Sequence, residues 1–143
     1  MNAQKDVPFA LSLKQPWAAL VVHGLKTIEI RRWPTARRGR ILIHAARVPD
    51  ERDEGWRKVP SHVRPMAELR GGILGSVDLT DCLRYGDLEA FLADQARHHN
   101  EAAWFQPPML YGFEFAEPKI LPFQEYPGWF RFFKVEAAEL ATV

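Results

Sequence analysis

A single cysteine, Cys82, leaves the chain unable to form an internal disulfide and fits a reducing compartment. No apolar run approaches the roughly 20 residues that a helix needs to cross a bilayer. Met1 to Val7 contains Asn, Gln, Lys and Asp, and therefore lacks the apolar core of a signal peptide. The expectation is a soluble cytoplasmic protein with no membrane partner. Repeats, low-complexity tracts and long linkers are also missing. The five histidines (His23, His44, His62, His98, His99) form no HExxH and have no paired cysteines beside them, so no metal site is expected. Gly71-Gly72 is not followed by Lys-Ser or Lys-Thr, which removes a P-loop. Ser12 and Ser76 have neither a G-x-S-x-G setting nor an identifiable base. No cofactor is implied.

The residues present suit one domain over positions 1–143, which by area scaling buries roughly two-thirds of its unfolded surface. An apolar content of 47% is too rich for disorder. The net charge of +1 conceals a split. Met1 to Ala46 carries eight Lys and Arg against Asp6 and Glu29, a surplus of +6, while the remainder carries −5. Arg31, Arg32, Arg37, Arg38 and Arg40 fall within ten positions, which favours a basic face for a polyanion over a merely solvated surface.

Phe9 to Leu13 reads as a strand, followed by a helix with Pro16 in its first turn and Trp17, Leu20 and Val21 on its core face. Gly24 sits where a left-handed cap belongs. Thr27 to Trp33 alternates, with Ile28 and Ile30 inward and Glu29 and Arg31 outward. Pro34 to Gly39 is a basic turn, and Arg40 to Ala46 a buried strand. Arg47 to Arg70 is a polar excursion with one short helix near Glu51 to Arg57. Gly71-Gly72 introduces a strand from Ile73 through Val77 to Leu83, in which Gly75 suggests a bulge or bend. Asp87 caps a helix reaching Asn100. Tyr111 to Phe115 is a strand, Pro118, Pro122 and Pro127 cut the next segment into loop, and Trp129 to Val135 closes the sheet. The fold class is α+β, with a small β-barrel and two or three flanking helices.

The informative stretch is Gly24-x-Lys26-x-x-Glu29-x-Arg31. Lys26 lies in the turn after the helix, and Glu29 and Arg31 project from one strand face. Glu29 can accept from a base N–H, while Lys26 and Arg31 can hold a phosphate or a ring carbonyl. The same spacing also fits a plain surface ion pair worth about 0–1 kcal/mol, and spacing alone does not choose. Trp33, at a strand end, is the better candidate for stacking a base, and Trp17 belongs to the core.

Ser12-Leu13-Lys14-Gln15-Pro16-Trp17-Ala18, the Gly24 to Arg31 motif with Trp33, and Arg38-Gly39-Arg40-Ile41-Leu42-Ile43 together closely resemble the ASCH family, named for the activating signal cointegrator homology domain. The resemblance is dense from Leu11 to Ala46 and looser at Gly72 to Val77 and Tyr111 to Val135. It implies a PUA-like β-barrel, a cleft beside the first helix lined by the motif, and binding of RNA or single-stranded nucleic acid. Glu29 and Arg31 would then read a base and Lys26 a phosphate, with Trp33 stacking and Arg37, Arg38 and Arg40 tracking the backbone. Some small bacterial relatives are amidohydrolases that deacetylate acetylated cytidine with a lysine at the place of Lys26 and a threonine three positions on. Glu29 stands at that threonine position, so the same hydroxyl nucleophile is missing. A hydrolase on a modified nucleoside or RNA (amidohydrolase or ribonuclease-like, through Lys26 and Glu29) is therefore the alternative to a binding module. A third reading is an adaptor whose Arg-rich turn meets an acidic protein.

Overall fold

Alternating apolar residues along Phe9–Leu13 (β1) and a continuous run through Gly39–Ala45 (β3) make two parallel neighbours, paired from Ala10 with Leu42 to Leu13 with Ala45. A computed structural model describes residues 8–136 of the chain; the Met1 to Val7 segment lies outside it. Around this pair the sheet is built in the order β2-β5-β4-β3-β1-β6, with β2 at Ile28–Arg31, β4 at Gly72–Tyr85, β5 at Leu110–Glu125 and β6 at Phe132–Lys134. Among the described residues five short α-helices accompany it, more than the two or three anticipated: α1 (Trp17–Val22), α2 (Asp53–Trp56), α3 (Arg64–Ala67), α4 (Leu88–Ala93) and α5 (Gln95–His98). The polar excursion holds two of them, and the Asp87 to Asn100 helix breaks into two at Asp94. No helix among the described residues is long and apolar enough to cross a membrane.

All six residues of α1 are buried, which a helix tolerates only when it is covered on every side. Trp17, Leu20 and Val21 pack on Leu11, Leu13, Ile43, Val77 and Phe113 of the sheet, while Ala19 meets Val63 and Ala67 of the excursion. Gln15 joins these parts. Its Oε1 accepts from the Ala19 N–H at 3.0 Å, and its Nε2 donates to the Met66 and Leu69 carbonyls at 2.9 and 3.0 Å.

The loop anticipated after Phe115 is instead the second half of β5. Its register against β4 shifts between Ser76 and Asp78 and between Ile73 and Gly75, and Pro118 and Pro122 fall at those two irregularities. A proline lacks the ladder N–H, so bulges in a strand with one open side are where it can sit. Gly75 marks a bulge as expected. A Cβ there would lie 2.3 Å from the Lys119 carbonyl oxygen.

Closure is the second departure. Among the described residues no ladder joins the edge strands β2 and β6, so the backbone pairing leaves the sheet open. The edges approach through side chains, with Trp33 just beyond β2 meeting Phe132 edge-to-face at 5.7 Å. Trp129 and Phe130, expected in the closing strand, precede β6 and are exposed.

Candidate functional site

The end of α1 aims the first motif residue inward. Gly24 adopts φ +77°, and the Leu25 and Lys26 N–H groups both donate to the Leu20 carbonyl, at 2.9 and 3.1 Å. Lys26 is thereby sealed at 1% exposure. Its Nζ donates to the His98 carbonyl at 2.5 Å, lies 3.4 Å from Asn100 Oδ1, and stands 4.8 Å above the Trp17 ring. Burial pushes the ammonium down to about 8 against the opposing pull of the Glu29 carboxylate, whose Oε1 is 3.7 Å away.

From Glu29 the contacts pass to Arg31, two residues along the same strand face. Glu29 Oε2 accepts from Arg31 Nε at 3.1 Å, and Arg31 Nη2 donates to the Ser12 carbonyl at 2.9 Å. The outward pair read from the alternation is in fact largely covered, with the side chains 13% and 20% exposed. Lys26, Glu29 and Arg31 thus form one charge chain running from the interior toward the surface.

That chain ends in a cleft of about 540 Å³ between the end of β2 and the segments around residues 52–54 and 101–106. Arg31, Arg32, Trp33, Arg52, Glu54 and Trp104 line it; Lys26 and Glu29 lie behind the lining. The Arg52 guanidinium covers the Trp104 ring at 4.0 Å and forms two 3.0 Å hydrogen bonds to Asp50. Burial works against the Asp50 carboxylate, but hydrogen bonds from Arg52 and from the Trp17 indole hold its pKa below the usual value. Glu54 accepts from the Trp104 indole and the Glu101 N–H, both at 2.7 Å. The Gln106 side chain holds Arg32. Trp33 packs edge-on against Phe113 and Phe132, with the Arg131 guanidinium 4.8 Å from its ring.

The motif and the cleft thus meet at Arg31, with Trp33 beside it. Arg52, Glu54, Trp104 and Gln106 did not figure among the expected site residues. Trp104, an isolated indole in a polar stretch, was the one local signal for them. Arg37, Arg38 and Arg40 lie apart from the lining. Arg37 packs over Phe9 at 3.7 Å. Arg38 and Arg40 reach Asp81 and Asp78 of β4 at 3.6 and 3.3 Å, and Arg40 also donates to the Glu117 carbonyl at 2.6 Å.

Ser12 does have a base beside it, contrary to the expectation from its sequence setting. His44 Nε2–H donates to the Tyr126 carbonyl at 2.7 Å, which leaves Nδ1 to accept from the Ser12 hydroxyl at 2.9 Å. Burial lowers the His44 pKa, opposed by the Tyr126 hydrogen bond, so the neutral ring is the favoured form.

Comparison with known proteins gives a consistent picture. A family model described as ASCH domain matches residues 11–143. Activating signal cointegrator 1 of Homo sapiens is 36% identical over 86 residues, and that of Mus musculus 37% over 94. Each match covers 54% of this chain and 15% of the relative, so the chain corresponds to a small part of those longer proteins. The crystal structure of ASCH from Zymomonas mobilis superposes with a TM-score of 0.63 at 16% identity, covering 95% of this chain and 92% of the other. At that identity the likeness concerns the fold.

Proposed function

The chain belongs to the ASCH domain family, and from that premise we propose that it is a binding module for RNA or another single-stranded nucleic acid, held in the cleft at the end of β2. The observation that carries this reading is the lining itself. Three guanidinium groups (Arg31, Arg32, Arg52) converge on a cavity that also presents the indoles of Trp33 and Trp104. Cations that can meet phosphates, interleaved with rings that can stack bases, are what a single strand requires. Glu54 and Gln106 add polar edges through which a base can be read. Lys26, too deeply covered to touch a phosphate, serves with Glu29 to position Arg31. Arg37, Arg38 and Arg40 contribute outside the cleft, where a passing backbone has to compete with Asp78 and Asp81 for the last two.

The hydrolase alternative is not favoured. It needs Lys26 at a substrate, whereas its ammonium is enclosed by His98, Asn100 and Trp17.

The test is fluorescence anisotropy of a labelled single-stranded RNA across a salt series. If Arg32 meets a phosphate, Arg32→Ala weakens binding and flattens the log–log salt slope by about 0.7. Arg38→Ala, whose side chain already faces Asp81, produces a smaller change. Undetectable or salt-insensitive binding by the wild type at low ionic strength would overturn the reading.

A further inference from the structure

A second hollow of about 590 Å³ lies beside β1, away from the cleft lining, and includes Ser12, His44, Arg47, Gly128, Trp129 and Phe130. We propose that this hollow is a second nucleotide subsite, in which Trp129 and Phe130 stack a base of the bound strand and Arg47 meets its phosphate. The inference rests on the nucleic-acid reading of the cleft and adds a separate place of contact.

Three observations converge on it. First, Trp129 and Phe130 are 71% and 80% exposed, yet the segment carrying them is anchored. His44, fully buried, donates to the Tyr126 carbonyl at 2.7 Å. The Gly128 backbone lies so close to the His44 ring that a Cβ there would sit 2.6 Å from Cε1. Two large rings on an anchored support form a platform that bears a cost in exposed apolar area unless something covers it. They do not cover each other, because their centroids stand 6.0 Å apart at 55°.

Second, the polar groups around this platform suit a nucleotide. The Ser12 hydroxyl proton is committed to His44, which leaves its oxygen, on a residue lining the hollow, as an acceptor for a base N–H. Arg47 is exposed and forms no ion pair among the described residues, unlike Arg38 and Arg40. An uncommitted guanidinium beside aromatic rings matches a planar base carrying a phosphate.

Third, side-chain contacts link the surroundings of the hollow to those of the cleft. Arg131, directly after Phe130, places its guanidinium 4.8 Å from the Trp33 ring, which lines the cleft. Arg31 of the cleft donates to the backbone carbonyl of Ser12, whose side chain lines the hollow. A single strand leaving Trp33 therefore meets Arg131 and then the Trp129–Phe130 platform.

The experiment measures anisotropy of a fluorescein-labelled oligouridylate of about eight nucleotides, within the site sizes known for single-strand binders. The wild type, the double variant Trp129→Ala/Phe130→Ala, and Arg47→Ala are compared across a salt series. Replacing surface rings leaves the core intact, and circular dichroism checks that the fold is retained. The double variant is expected to bind about tenfold or more weakly at every salt concentration, with its slope preserved, because stacking carries no counterion release. Arg47→Ala is expected to flatten the slope by about 0.7. Wild-type affinity in the double variant, or an unchanged slope in Arg47→Ala, overturns the second subsite while the cleft reading stands. Failure of the wild type itself to bind the oligomer removes both.

Discussion

Lys26 is the most deeply buried lysine, arginine or carboxylate side chain among the described residues. Desolvation lowers its pKa to about 8, and Glu29 is the largest influence holding it that high. Removing the carboxylate charge must therefore lower it further. Titration of the lysine side-chain signals by NMR should give a midpoint near 8 in the wild type and a lower one in Glu29→Gln. A midpoint near the ordinary lysine value would show that Nζ is in water. At this scale the motif was legible in the sequence as a charge constellation, because spacing along one strand face requires only the two-residue period. Its depth was not legible, since that depends on His98 and Asn100, more than 70 positions away. The surroundings of the arginine cluster were hidden in the same way. Counting charges along the chain finds Arg38 and Arg40 but not their acidic neighbours: the antiparallel pairing of β3 with β4 sets Asp78 opposite Arg40, and Asp81, further along β4, comes within 3.6 Å of Arg38.

The bent pair β4 and β5 carries the architecture, and its tightest point is Gly75. A methyl there meets the Lys119 carbonyl oxygen at 2.3 Å and Val22 Cγ1 at 2.9 Å. Gly75→Ala should accordingly cost about 1–3 kcal/mol by overpacking, read as a lower urea midpoint with little change in slope. The α5 segment supplies a pH dependence. His98 Nε2–H donates to the Phe91 carbonyl, and Nδ1 accepts from the Asn100 N–H at 3.0 Å, so protonation removes an acceptor that the backbone needs. Burial lowers the His98 pKa, as it does that of His44. A histidine favoured as neutral in the folded state contributes stability above the unfolded value of about 6.5, and that contribution is lost as pH falls through the lowered folded value. Melting temperature should decline from pH 7 to pH 5, and decline less in His98→Gln; a flat profile in the wild type would contradict the buried neutral ring. The strands, α1 and the Asp87 cap were readable from periodicity and capping chemistry, and Asp87 does accept from the Ala90 N–H at 2.8 Å. The run of β5 through Pro118 and Pro122 was not, because a bulge that accommodates a proline is set by the partner strand.

Across the whole molecule the near-zero net charge says little, and the surface is distinguished by the places where aromatic rings and guanidinium groups coincide. Trp33 and Trp104 share the cleft with Arg31, Arg32 and Arg52, while Trp17 and Trp56 turn their indole N–H groups to Asp50 at 2.9 and 2.8 Å. The α+β class was evident in the sequence from its many short strands, whereas the open sheet and the number of short helices were not. The cleft was half evident, because β2 announced one wall and the polar segments forming the other carry no periodic pattern. The chain's five tryptophans provide the most direct test of the proposed nucleic-acid role of the cleft. An NMR titration of the indole N–H signals with a short single-stranded RNA reads each of them separately. The account predicts that the Trp33 and Trp104 signals shift progressively to saturation, with those of Trp17 and Trp56 moving much less. RNA binding that leaves the Trp33 and Trp104 signals in place, or a titration in which no indole moves, would contradict it.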